Sequence, residues 1–226
     1  MHDTEGSEYD RLFYPFLFEG GKASIEDVLA QVRHSTLEKC REVITLRRMT
    51  LENSLEQIIA AGQTMARAFA EGGTLLAFGN GGSTTDAQDM VTDLLVPPFP
   101  GWIPLPAIAL TNDIAVVTAV GNDVGFENIY TRQVIAYGRR GDIALGISTS
   151  GNSTNVLQAL EQAKKQGLLT VGLTGYDGGK MMRSPAVDVC INSPSDHIPR
   201  IQEAQATAYH ALIEVIYSVM KKEKSL

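Results

Sequence analysis

Ile143-Ala144-Leu145-Gly146-Ile147-Ser148-Thr149-Ser150-Gly151-Asn152-Ser153 is the stretch whose reading decides the fold. A short apolar run ends in a hydroxyl-rich loop, and a helical pattern takes over near Thr154. The same unit recurs along the chain. Apolar runs at Thr74–Phe78, Ala107–Leu110, Leu169–Leu173 and Val187–Ile191 alternate with helical segments near 84–95, 126–137, 153–166 and 200–221. Strands that are apolar almost throughout have both faces covered, and alternation with helices makes their pairing parallel. The prediction is an α/β protein: a three-layer α/β/α sandwich around a five-stranded parallel sheet.

Upstream of the first run, Ile25, Val28, Leu29 and Val32, then Val43, Leu46 and Met49, and later Leu55, Ile58 and Ile59 recur at helical spacing. Ser24 with Asp27 reads as an N-cap, and Thr50 to Ser54 as an interruption, so two long helices are expected at 25–48 and 51–70. Residues 1–23 read as an irregular extension and 24–226 as one domain that includes oligomerisation helices over 24–70. The extension carries Phe13-Tyr14-Pro15-Phe16-Leu17-Phe18, an aromatic cluster expected to dock on the domain or on a second subunit, since exposed it would stay in water.

The 226 residues are 44% hydrophobic and 20% charged, with a net charge of −7. That balance excludes a nucleic-acid surface, which needs clustered Lys and Arg. It allows a small anion, because backbone N–H groups bind phosphate without net positive charge. No stretch approaches the roughly 18 apolar residues of a membrane span. Met1 to Asp10 is polar and acidic, unlike a signal peptide. Cys40 and Cys190 have neither metal spacing nor a redox partner, and read as reduced thiols of a cytoplasmic protein.

Two loops carry the chemistry. Gly79-Asn80-Gly81-Gly82-Ser83 joins a strand to a helix, where glycines expose backbone N–H groups and the helix dipole favours an anion. Its spacing matches neither a dinucleotide nor a nucleotide loop, so no nucleotide cofactor is indicated. The second loop, Ser148 to Ser153, places four hydroxyls around Gly151 at another helix start. Ser153 could instead serve as an N-cap, but capping needs one hydroxyl rather than four.

These loops, together with Asn122-Asp123-Val124-Gly125-Phe126, Gly172-Leu173-Thr174-Gly175-Tyr176-Asp177-Gly178-Gly179-Lys180 and Arg200-Ile201-Gln202-Glu203, resemble the phosphoheptose isomerase branch of the SIS (sugar isomerase) family. The resemblance implies a flavodoxin-like sheet, a phosphorylated sugar as ligand, and isomerisation of sedoheptulose 7-phosphate or a similar sugar phosphate through an enediol. It implies substrate contacts from Asn80, Gly81, Gly82, Ser83, Asp123, Ser148, Thr149, Ser150, Ser153 and Gln202. It further implies a homotetramer bundled through the N-terminal helices. A second lineage of the branch binds the bacterial replication initiator.

The family carries a His and a Glu four residues apart on the helix after the first loop, which bind zinc and move protons with a Gln and a His on the last helix. Here the first pair is Asp89 and Asp93, and the second is Gln202 and His210. The resemblance therefore implies Asp89, Asp93, Gln202 and His210 as zinc ligands, with Asp93 and His210 as catalytic groups. Carboxylate oxygens do ligate zinc, but an Asp is one methylene shorter. Read without the family, Asp89 and Asp93 form a solvated acidic face near Asp86. The family's Arg is replaced by Pro97, within Pro97-Pro98-Phe99-Pro100-Gly101-Trp102, and an Asp near Pro199 is missing, with Asp196 and His197 close by. Two functions stay open at this point: an aldose–ketose isomerase, or a sugar-phosphate sensor or protein-binding scaffold without turnover.

Overall fold

Each of the five apolar runs is a strand in the computed structural model of the chain, which describes residues 25–223. The aromatic run at 13–18 and the Ser24 cap lie outside the described residues. The strands are β1 (Leu75–Gly79), β2 (Ala107–Ala109), β3 (Ile143–Ser148), β4 (Leu169–Gly175) and β5 (Val189–Ser193). The helices are α1 (Ile25–Ala70), α2 (Gly82–Leu95), α3 (Ile114–Asp123), α4 (Ile129–Tyr137), α5 (Thr154–Gln166), α6 (Gly179–Arg183) and α7 (Ile198–Glu223). All strands pair in parallel, in the order β2-β1-β3-β4-β5.

Alternation along the strands divides the core into two layers. Leu75 and Ala77 of β1 join one cluster with Met65, Met90, Leu212 and Ile213, while Leu76 and Phe78 join the other with Tyr130, Val134 and Leu160. Helices α1, α2 and α7 therefore cover one face, and α4 and α5 the other. β1 and β3 are buried along their whole length, and each large side chain withdrawn from water there contributes about 1.5–3 kcal/mol.

The N-terminal helices need correction. Instead of helices at 25–48 and 51–70, the chain forms one 46-residue helix, α1, that runs straight through Thr50 to Ser54. Leu46, Thr50, Ser54 and Ile58 are all buried and four residues apart, so the apparent interruption lies on the packed stripe. Ser54 Oγ lies 3.4 Å from Asn192 O and 3.3 Å from Asn192 N, joining α1 to the end of β5. Tertiary contact thus overrides a propensity deficit worth only tenths of a kcal/mol. The expected 126–137 helix is a 3₁₀ turn (Phe126–Asn128) followed by α4, and the short helices α3 and α6 were not anticipated.

Two compact units meet at Arg41 and Glu42, within α1. Of the first, the described part is helix alone, with Ile25, Val28, Leu29, Val32 and Leu37 exposed. The second holds the sheet. In it Arg200, only 7% exposed, is paired with Glu42 at 3.3 Å and Glu203 at 3.0 Å, which fastens the first turn of α7 to α1.

Candidate active site

From β1 the chain turns to β2 on one side; β3 then pairs on the other side of β1. The strand order reverses there, and in open parallel sheets ligands bind in the crevice beyond the strand ends at such a point. Gly79 and Ile147 are register partners, so the two candidate loops leave the sheet side by side.

The first loop is held by its backbone: Ser83 N–H donates to Asn80 O and Thr84 N–H to Gly81 O, each at 3.0 Å. Gly81 is the N-cap of α2, and no side chain caps it among the described residues. Gly82 faces Gln202 so closely that a Cβ would fall 2.0 Å from Gln202 Nε2. Ser83 is buried at the same turn.

In the second loop Ser153 sits at the N-cap of α5, yet its side chain makes no capping bond. Its hydroxyl lies 2.9 Å from that of Ser148 instead. The capping alternative is therefore not what the structure shows, and both helices that open on the crevice begin without a side-chain cap. A helix start faces the crevice on either side, and backbone N–H groups and hydroxyls in this arrangement suit an anion. Gly151 turns the loop at φ 63°, and a Cβ there would come 2.2 Å from Gly178 O. Asn152 fixes the loop's outer side, its Nδ2 donating to Ser150 O at 2.8 Å and its Oδ1 accepting from Lys180 N–H at 3.1 Å. Thr149 and Ser150 are half-buried along it.

Asp89 and Asp93 on α2 meet His210 on α7: its Nε2 lies 3.8 Å from Asp89 Oδ2 and 3.4 Å from Asp93 Oδ2. Tyr209, missed in the sequence, donates its hydroxyl to Asp89 Oδ2 at 2.5 Å, and its ring lies 4.5 Å from the imidazole. Burial, then the hydrogen bond and charge of Asp89, push the Tyr209 phenol well above its ordinary value. The acidic face is thus a partnered cluster rather than a merely solvated one.

Gln202 does not join this cluster. It lies against Gly82, while Tyr209 meets Asp89, and seven residues separate these two rungs on both helices. Seven residues span about 10 Å of helix. Among the described residues no group of three His, Cys, Asp or Glu is placed to hold a metal ion. The four donors are of kinds that zinc accepts, but as placed they do not surround one point.

Between the rungs stands Asp86, whose Oδ2 is buried with no hydrogen-bond partner among the described residues. Burial, with the charge of Asp89 second, raises its pKa from 3.8 to about 6. Asp123 is exposed at the end of α3 and accepts from its neighbour Asn122 at 2.8 Å. Asp196 and His197 are exposed in the turn before α7. The segment around Pro97 docks on α7, with Trp102 stacked on Tyr217 at 4.1 Å and Tyr217 Oη donating to Ile103 O at 2.8 Å.

Fold and crevice define an α/β protein whose loops at the switch point of a parallel sheet suit an anion, and the SIS domain family matches residues 40–175. The phosphoheptose isomerase of Roseiflexus is 38% identical over 83% of this chain and 94% of its own length. That of Geotalea daltonii is 46% identical over 71% of this chain and 82% of its own. Among solved structures, the phosphoheptose isomerase of Neisseria gonorrhoeae superposes with a TM-score of 0.77 at 35% identity, covering 83% of this chain and 100% of that one. The enzyme of Francisella tularensis gives a TM-score of 0.74, also at 35% identity, over 84% and 98%. The chain belongs to the SIS family and, within it, to the phosphoheptose isomerase branch.

Proposed function

We propose that the chain interconverts an aldose and a ketose phosphate of the phosphoheptose type through an enediol. The phosphate sits against Ser83, Ser148, Thr149, Ser150 and Ser153 at the uncapped starts of α2 and α5. The carbon chain extends along the α2–α7 seam toward Asp93 and His210. The observation that carries this reading is the meeting of Asp93 and His210 at 3.4 Å on helices whose first turns border the serine-lined crevice.

Asp93 is a better base than Asp89. Its side chain is 25% exposed against 56%, and Asp89 already spends a lone pair on Tyr209. Asp93 Oδ2 removes the proton from the carbon beside the carbonyl, and His210 Nε2 delivers a proton to the carbonyl oxygen, giving the enediol. Return of the proton from Asp93 to the neighbouring carbon, with His210 taking one from the adjacent hydroxyl, completes the isomerisation without net change in protons. Sedoheptulose 7-phosphate is the first substrate to offer; Pro97 in place of the family's Arg, and the loss of an Asp near Pro199, with Asp196 and His197 close by, alter the distal end of its site.

The chain works in the cytoplasm as a homotetramer in this reading. The exposed free thiol of Cys40 suits a reducing compartment, and no described helix is long and apolar enough to cross a membrane. For assembly, α1 leaves Ile44, Met49 and Leu55 exposed, and a groove of about 490 Å³ is lined by Leu51, Leu55, Ile58, Val215 and Val219.

Turnover of sugar phosphates with five to seven carbons is the test. Asp93→Asn and His210→Ala should each cost about a hundredfold or more in kcat, the usual weight of a general acid or base, with phosphate affinity kept. A wild-type protein that binds these compounds but converts none would establish the sensor or scaffold reading instead.

A further inference from the structure

We infer that Asn155 and Tyr130 are positioning residues of the phosphate site, holding the two loops at a fixed separation across the crevice. The inference rests on the sugar-phosphate reading above.

Asn80, in the first loop, and Asn155, in the first turn of α5, exchange two hydrogen bonds: Asn80 Nδ2 donates to Asn155 Oδ1 at 2.8 Å, and Asn155 Nδ2 donates to Asn80 Oδ1 at 2.9 Å. Asn155 Oδ1 also accepts from Val156 N–H at 3.0 Å, which fixes which end of that amide is oxygen and hence the direction of both bonds. Tyr130, on α4, donates its hydroxyl to Gly79 O, with Asn80 Oδ1 at 3.2 Å. The loop after β1 is therefore tied at two consecutive residues: to the helix that follows the serine loop, and to the helix layer below.

Asn155 and Tyr130 are each 2% exposed, and their side chains make their hydrogen bonds to Asn80, Gly79 O and Val156 N–H. The side chain of Asn80 is itself committed to the pair. A buried polar pair adds little net stability over apolar residues of the same shape, whereas a mismatched one is costly. What this pair adds is a single allowed spacing between Gly81-Gly82-Ser83 and Ser148-Thr149-Ser150, the groups that must close on one phosphate together.

The test uses Tyr130→Phe and Asn155→Leu, with inorganic phosphate as the calorimetric probe. Tyr130 stacks on Phe78 at 5.3 Å, so loss of its hydroxyl alone leaves the ring packed. Each folded variant should bind inorganic phosphate about tenfold more weakly, the scale of one or two lost hydrogen bonds. With a substrate, KM should rise by the same factor and kcat change less. A merely structural role would lower the melting temperature and leave the dissociation constant of the folded protein alone. Wild-type affinity in both folded variants overturns the inference, and if Asn155→Leu fails to fold, Tyr130→Phe decides by itself. A wild-type protein that turns over a sugar phosphate yet ignores inorganic phosphate overturns instead the placement of phosphate at the serine loop, and the inference with it.

Discussion

Replacing Asp86 with Asn should stabilise the protein above neutral pH and do nothing comparable in acid. The carboxyl lies between the Gly82–Gln202 and Asp89–Tyr209 rungs with one oxygen buried and without a hydrogen-bond partner among the described residues, and burial and Asp89 raise its pKa from 3.8 to about 6. The folded protein therefore holds the proton more tightly than the unfolded chain. The stability this brings is complete below pH 3.8 and is lost as pH rises through 6. A shift of this size corresponds to about 3 kcal/mol at most, and the partial exposure of the group reduces it to about 1–2 kcal/mol. At pH 8 the neutral amide avoids that loss, so Asp86→Asn should melt roughly 2–8 °C above wild type, given about 2–4 °C per kcal/mol for a chain of this size. The assay is thermal melting of both proteins from pH 4 to pH 8. Only the pH dependence of their difference matters, which cancels any constant packing effect of the amide. A difference that stays flat across this range refutes the buried, proton-holding reading of Asp86.

Ser148→Ala with Ser150→Ala should weaken phosphate binding by about a hundredfold to ten-thousandfold, since each hydrogen bond to a charged group is worth about 1.5–3 kcal/mol; calorimetry with unchanged affinity would place the ligand elsewhere. Dialysis against a chelator should leave turnover intact, because Gln202 stands apart from Asp89, Asp93 and His210; turnover lost and restored by zinc would show that the four draw together around a metal. Light scattering at micromolar concentration should give the mass of four chains, and a monomer would refute the reading of α1.

The sheet was legible because β1, β3 and β4 are buried on both faces and so are apolar almost throughout, and β1 and β3 end in the two candidate loops. The continuity of α1 was not, because Thr50 and Ser54 look like breakers until the end of β5 supplies Ser54's partner. The serine loop could be read from its four hydroxyls, but not that Ser153 would turn from capping to Ser148. Asn80 was named for the ligand, while the residues that hold its side chain come from 75 and 50 positions further along the chain, a separation no local pattern reports.

The cluster of Asp89, Asp93 and His210 shows the same limit more sharply. Asp89 and Asp93 four apart on a helix are, from sequence, two like charges on one face. In the folded chain α2 and α7 run in parallel, with Gly82 facing Gln202 and Asp89 meeting Tyr209, and His210, next after Tyr209, comes within reach of both Asp89 and Asp93. The same alignment keeps Gln202 two turns away, at Gly82. Whether four side chains act as one site thus depends on the register between two helices that are more than a hundred residues apart in sequence. That register is set by packing against β1 and β4, and by the pairing of Arg200 with Glu42 at the start of α7. Motif spacing identifies the residues; helix register decides which of them meet.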